Sequence, residues 1–305
     1  MGSEAGHQRP GDGGLRVSRR TLFRAAAASA AVVGGAAALS ACAGAAGGTS
    51  FADVQDSGKI LVGVAGEKPY GFLDEKGNVT GEGPEVARAV LGRLGITEMQ
   101  GVLVDFRQLI PGLKAQKYSF VAAGMSILPD RCEEAAFSIP DFEVKNAFLV
   151  QRGNPEGIET FEDIKGKDVL IAVLTGGVEL GLAIDAGAEE EQLVTLGDQD
   201  SMFRAVRDGR VYGAATLDPT VGYLLEQNPD SGLAKTEAFL PAGGSAGVGG
   251  FTFPKSETEF VAAFNAELNK LKESGEWLDI VKPFGFTEKH EPGPDVTTEK
   301  LCTPT

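Results

Sequence analysis

The chain has 305 residues, 42% of them hydrophobic, and a formal net charge of −15 at pH 7. That length allows one large domain or two lobes, and the composition is that of an ordinary soluble core. So acidic a chain argues against nucleic acid or anionic membrane as a partner, and two histidines, His7 and His290, leave little material for histidine catalysis or for His/Cys metal centres.

Near the start, Ser18-Arg19-Arg20-Thr21-Leu22-Phe23-Arg24 precedes an apolar run over residues 25–41. Paired arginines before a weakly hydrophobic, alanine-rich segment read as a twin-arginine export signal over residues 1–41. The run falls short of the roughly 20 strongly apolar residues of a spanning helix. It ends Leu39-Ser40-Ala41-Cys42, which resembles the bacterial lipoprotein signal peptidase box. Cys42 would then accept diacylglycerol, and two acyl chains anchor stably where one does not. Residues 42–57 read as the lipidated cysteine and a flexible tether, its first part built of Ala, Gly, Thr and Ser. Without residues 1–41 the chain keeps 23 basic and 41 acidic residues, a net charge of −18. The expected location is the outer face of the cytoplasmic membrane, with the membrane touched only through the lipid.

Cys132 and Cys302 are the other two cysteines. An even pair in an oxidising compartment is a disulfide candidate. The alternative is a buried Cys132 and a free thiol on the C-terminal tail.

After the tether, residues 59–65 form a short apolar run with β-branched residues, a buried strand. Residues 74–78 read as a turn. Pro84 starts a helix to residue 94, with Val86, Val90 and Leu94 on one face and Gly95 ending it. Residues 101–106 are a second strand, 109–116 a short helix and 118–122 a third strand. Residues 142–150 look extended, and the alternation then restarts. It gives helices over 161–164, 201–207 and 220–226, another after Gly176-Gly177, and strands over 169–173 and 211–217. A glycine-rich stretch over 243–250 leads to a strand over 251–253. An amphipathic helix over 257–273 follows, carrying Phe260, Phe264, Leu268 and Leu271, and Trp277 begins a further helix. Alternating strands and helices predict α/β architecture with largely parallel sheets. Two extended crossings around a middle α/β unit predict a two-lobed clamp with a two-strand hinge. Lobe 1 takes residues 58–145 and 246–290, lobe 2 residues 146–245, and the tail residues 291–305.

One stretch carries chemistry: Ala123-Gly124-Met125-Ser126-Ile127-Leu128-Pro129-Asp130-Arg131. Gly124 and Ser126 leave backbone amides exposed, Pro129 suits the first turn of a helix, and Arg131 adds a guanidinium that cannot be neutralised. Together they make a carboxylate receptor at the carboxyl end of a strand. The alternative is a plain strand-to-helix connection in which Arg131 pairs with Glu134 one turn on.

With Phe137-Ser138-Ile139-Pro140 behind it, this stretch resembles the substrate-binding proteins of polar amino acid ABC importers. A closer resemblance is to their ectoine/hydroxyectoine-binding branch. It rests on Pro69-Tyr70-Gly71-Phe72, Thr80-Gly81-Glu82-Gly83-Pro84-Glu85-Val86-Ala87, Leu109-Ile110-Pro111-Gly112-Leu113, Ala122-Ala123-Gly124-Met125 and Pro283-Phe284-Gly285-Phe286-Thr287. The resemblance implies a periplasmic-binding-protein-like clamp, a small zwitterionic ligand between the lobes, permease subunits as partners, a monomer and no cofactor. It also implies roles residue by residue. Glu67 meets the ligand's amidinium, Tyr70 and Phe106 stack on it, and Arg131 grips its carboxylate.

The third ring of that aromatic box falls at Ser126, where a serine is what general amino acid binders carry. One ring is worth about 0.5–2 kcal/mol in cation–π attraction. From the second lobe, Gly177 and Val178 offer backbone amides to the carboxylate. Amino acid binders carry a threonine hydroxyl near Val178, which has none. Asp218 stands near where those binders place an acid for the ligand's ammonium, and Asp218-Pro219 also reads as a helix cap. A polar amino acid is therefore the alternative ligand. An enzyme is the third reading, because exported dehydratases and transglycosylases reuse the clamp. It would need Glu67 as its acid or base, with no histidine in the cleft to help.

Overall fold

A computed structural model describes residues 50–242 and 247–304. Arg19, Arg20, Cys42 and the tether as far as residue 49 lie outside the described residues, as do residues 243–246. Helix α1 (Phe51–Ser57) opens with a reciprocal cap. Asp53 N donates to Ser50 Oγ at 3.3 Å, and Ser50 N donates to Asp53 Oδ2 at 3.0 Å. Phe51 stacks on Phe260 with centroids 4.8 Å apart, and Val54 is buried. The tether expected as far as residue 57 is thus helix from residue 51. A capping box and two apolar residues three apart, Phe51 and Val54, start the helix here.

Lobe 1 holds β1 (Lys59–Val64), β2 (Phe72–Leu73), β3 (Val79–Thr80), β4 (Glu98–Leu103), β5 (Phe120–Ser126), β6 (Ala136–Phe137) and β7 (Phe142–Val144). Lobe 2 holds β8 (Asn146–Gln151), β9 (Ile171–Leu174), β10 (Leu193–Leu196), β11 (Gly213–Leu217) and β12 (Leu233–Lys235); β13 (Gly247–Phe253) returns to lobe 1. The first sheet runs β4-β1-β5-β13-β6, with β7 beside β13, and the second runs β10-β9-β11-β8-β12. β1 is parallel to β4 and β5, and β9 is parallel to β10 and β11. The sheets are nonetheless mixed, which corrects the largely parallel expectation. β13 runs antiparallel to β5, β6 and β7, and β8 antiparallel to β11 and β12. The strands that carry the chain between lobes run against each lobe's parallel core, and hydrophobic periodicity does not report strand direction.

The helices are α2 (Glu82–Arg93), α3 (Leu109–Lys114), α4 (Pro129–Glu134), α5 (Glu179–Asp185), α6 (Gln199–Arg207), α7 (Asp218–Gln227), α8 (Thr258–Glu273), α9 (Glu276–Val281) and α10 (Thr298–Leu301). α8 buries Phe260, Phe264, Leu268 and Leu271 against α2 and the first sheet. Phe120, Phe253, Phe260 and Phe264 meet ring to ring with centroids 5.0–6.3 Å apart. Burying each such side chain contributes about 1.5–3 kcal/mol. Phe148, Phe161 and Phe239 do the same in lobe 2. At the crossing, Asn146 and Phe239 exchange two backbone hydrogen bonds of 3.0 and 2.9 Å. A disulfide joins Cys132 in α4 to Cys302 just past α10, with Cα atoms 5.6 Å apart. It ties the tail to the strand-to-helix turn that bears Arg131. Among the described residues no helix is long and apolar enough to cross a membrane.

Candidate ligand-binding site

The carboxyl ends of the six parallel strands converge on one cavity between the lobes, where an α/β sheet presents its ligand groups. Its wall takes Glu67 and Tyr70 after β1, Phe106 after β4, and Gly124, Ser126 and Arg131 at and beyond the end of β5. Lobe 2 adds Gly177, Val178 and Glu179 after β9, Gln199 after β10, and Thr216, Leu217 and Thr220 at β11 and α7. The cavity measures about 30 Å³, against the roughly 300–1,000 Å³ of typical ligand pockets. Hydrogen bonds from Arg131 to Gly176 O and from Gln199 to Glu67 span it, so the two lobes meet across the cleft. A larger cavity of about 640 Å³ lies on another face of lobe 1, among α1, β1, β4 and Phe260, and takes in none of the expected site residues.

The turn after β1 is pinned at both ends. Glu67 N donates to Gly71 O at 3.1 Å and Gly71 N returns to Glu67 O at 2.9 Å. Glu82 N and Gly83 N at the start of α2 hold Pro69 O and Tyr70 O at 2.8 and 2.9 Å. The Lys68-Pro69 peptide is cis. Glu67 is 4% exposed, and Gln199 Nε2 donates to its Oε2 at 2.8 Å. Its Oε1 has no partner. Burial pushes its pKa up to about 8; the Gln199 bond pulls it down, while Glu179, Asp198 and Asp200 add to the rise. Glu67 is thus a carboxyl group held ready to ionise against a cation.

Tyr70 is buried against Phe142 and Phe286, with centroids 4.9 and 5.4 Å apart, and its hydroxyl is unpartnered. Burial pushes the phenol up. Gly124 has φ +66°, and a Cβ there would lie 2.5 Å from the Tyr70 ring. Only glycine serves at this position.

Arg131 sits in the first turn of α4 behind Pro129. Its Nη1 donates to Ser126 O and its Nη2 to Gly176 O across the cleft, both at 3.2 Å. Its Cζ lies 5.6 Å from the centroid of Phe106. Burial lowers its pKa, while Asp130 and Glu179 raise it again. The alternative pairing with Glu134 is not made, because Glu134 is taken by Lys114. The guanidinium fork therefore keeps donors for an anion in the cavity.

Eight of the nine expected residues line the cavity: Glu67, Tyr70, Phe106, Gly124, Ser126, Arg131, Gly177 and Val178. Asp218 does not. Its carboxylate pairs with Lys235 at 2.7 Å and faces His290 Nε2 at 3.9 Å, so Asp218 anchors β12 to α7 instead. Glu179, Gln199, Thr216 and Thr220 went unread in the sequence. Glu179 and Gln199 open helices, where polar residues look like caps; their place after β9 and β10 was the available signal. Burial raises the pKa of Glu179, while neighbouring backbone N–H groups and Arg131 oppose the rise. Lys68 and Asp200 pair across the rim at 2.9 Å. Among the described residues there is no cluster of three metal-ligating side chains.

The profile of the bacterial extracellular solute-binding proteins, family 3, matches residues 60–287. The chain belongs to this family. As a family 3 protein it is 31% identical to a probable amino-acid ABC transporter periplasmic-binding protein of Sinorhizobium fredii, over 85% of this chain and 87% of that one. It is 26% identical to the lysine/arginine/ornithine-binding periplasmic protein of Escherichia coli, over 71% and 83% of the two chains. EhuB, solved in complex with hydroxyectoine, superposes with a TM-score of 0.76 at 29% identity, over 83% of this chain and 98% of that one. An ancestral arginine-binding protein bound to arginine gives 0.66 at 28% identity, over 74% and 98%. The family 3 clamp implies a small ligand, permease partners and a place outside the cytoplasm.

Proposed function

We propose that the protein is the lipid-anchored receptor of an ABC importer, capturing ectoine or hydroxyectoine and delivering it to the permease. Cys42 carries the lipid, residues 1–41 direct twin-arginine export, and the receptor acts as a monomer. One observation carries the ligand class: the free Oε1 of Glu67 and the Arg131 guanidinium line the same closed cavity with Phe106. A carboxylate and a delocalised cation in one compact molecule satisfy both, and Phe106 and Tyr70 offer ring faces to the cation. Closure removes water and strengthens the charge pairs. The likeness to EhuB supports this reading.

A polar, cationic amino acid is the second reading. Ser126 in place of a third ring favours it, and so does Glu179, a second acid in the cavity wall. Mass spectrometry of the molecule that copurifies with the folded domain separates the two. Ectoine or hydroxyectoine is expected, and an amino acid would replace the first reading by the second.

A further inference from the structure

The receptor reading above rests on Glu67, and a second acceptor stands beside it from the opposite lobe. Gln199, the first residue of α6, is 4% exposed. Its Nε2 donates to Glu67 Oε2 at 2.8 Å and to Thr216 Oγ1 at 3.1 Å. Once a bound cation ionises Glu67, its carboxylate can only accept, so the amide turns its NH₂ toward it. That choice fixes the carboxamide and leaves Gln199 Oε1 buried with no donor. Glu67 Oε1 is orphaned in the same way, and both residues line the one cavity. Two buried oxygens without donors on side chains that are themselves hydrogen-bonded to each other are unfavourable until donors arrive.

We propose that Gln199 is a ligand-binding residue, the lobe 2 half of an acceptor pair with Glu67 that receives the two N–H groups of an amidinium or guanidinium. The pair selects delocalised cations that bear N–H groups and rejects quaternary ammonium, which has none. Because one acceptor comes from each lobe, the cation is read in full only when the cleft closes. The Lys68–Asp200 ion pair holds the neighbouring residues of the same two segments together.

The test is calorimetric titration of ectoine, arginine and glycine betaine into wild type, Gln199→Met, Glu67→Gln and the double variant. Wild type should bind ectoine and ignore glycine betaine. Gln199→Met should weaken ectoine by about 10-fold or more, the effect of losing a hydrogen bond to a charged group. The double variant should lose clearly less than the product of the two single losses, since both residues hold one cation. Gln199→Met also loses its bonds to Glu67 Oε2 and Thr216 Oγ1, so its unfolding midpoint is read without ligand, and Gln199→Glu, which keeps acceptor oxygens, should retain more ectoine affinity than Gln199→Met. Wild-type affinity in Gln199→Met, or losses that multiply in full, would overturn the role of Gln199 while leaving the receptor reading intact. If wild type binds arginine and not ectoine, the same comparison on arginine decides the point through its guanidinium. Wild type that binds neither overturns the receptor reading and this inference together.

Discussion

Cys132 is bridged to Cys302, 170 residues further along, and stands directly after Arg131 in α4. The tail therefore braces the turn that presents the guanidinium to the cavity. A covalent tie across so long a loop restricts the unfolded chain, and losing one typically costs about 2–5 kcal/mol. Cys302→Ser should lower the midpoint of thermal unfolding by roughly 4–20 °C, at the 2–4 °C per kcal/mol usual for this size. It should also weaken ligand binding by loosening α4. A thiol count on denatured, unreduced protein lacking residues 1–42 should find none free, and two free thiols would refute the bridge.

Stability should fall as pH rises from about 5 to 8. Glu82 is fully buried against Asp141, and neither of its oxygens has a donor. Asp141 Oδ1 accepts from Trp277 Nε1 at 2.9 Å. Burial and the facing Asp141 push Glu82 well above the usual carboxyl range, so Glu82 keeps its proton in the folded chain. Burial raises Glu67 to about 8 and raises Glu179 as well. For groups raised on folding, the native chain keeps protons that the unfolded chain releases. Their contribution is complete below about 4.5 and lost as pH climbs through the native pKa, at up to about 1.4 kcal/mol per pH unit for each proton. The unfolding midpoint should be higher at pH 5.5 than at pH 8. Glu82→Gln should flatten that slope and stabilise the protein at pH 8. A midpoint that rises to pH 8 and ignores Glu82→Gln would contradict a protonated Glu82 in the folded chain.

How much of this was readable in advance follows from where each contact is decided. Glu67, Phe106 and Arg131 stand just past the ends of strands, a place that hydrophobic runs and a following proline mark locally. Asp218 occupies a similar place, but Lys235, seventeen residues on, turns its carboxylate away. No local pattern announces a partner on another strand. Gln199 shows the converse: its meaning lies in Glu67, 132 residues earlier. The helix at residue 51 begins where the Ala, Gly, Thr and Ser run gives way to Phe51, Asp53 and Val54, but its seven residues are too few for a hydrophobic period to show. Its Ser50 and Asp53 spacing was the available clue.

Ser126 separates the two candidate ligands. If the pocket is an ectoine site with one wall open, Ser126→Phe adds a ring over the cation and should tighten ectoine by up to about tenfold, or roughly 1.4 kcal/mol. If Ser126 bonds an amino acid's carboxylate, the same change removes that bond and crowds a closed cavity, weakening the ligand by as much or more. Titration of ectoine and an amino acid panel against both proteins should show ectoine bound more tightly by the variant.

Export and anchoring should separate by residue. Replacing Arg19 and Arg20 with lysine should block export, while Cys42→Ala should leave an exported protein free of the membrane. Cys42→Ala protein that still pellets with carbonate-washed membranes would contradict lipid anchoring.

The most direct test of the site is Arg131→Ala, measured by calorimetric titration of ectoine beside wild type. No residue of α4 is fully buried, so the fold should survive, as circular dichroism can verify. Removing one partner of a buried charge pair costs about 2–5 kcal/mol, roughly 30-fold to several thousand-fold in affinity. Measurable binding by wild type and a loss of that size in Arg131→Ala is the predicted result. Equal binding by both proteins would contradict the assignment of this cavity as the ligand site.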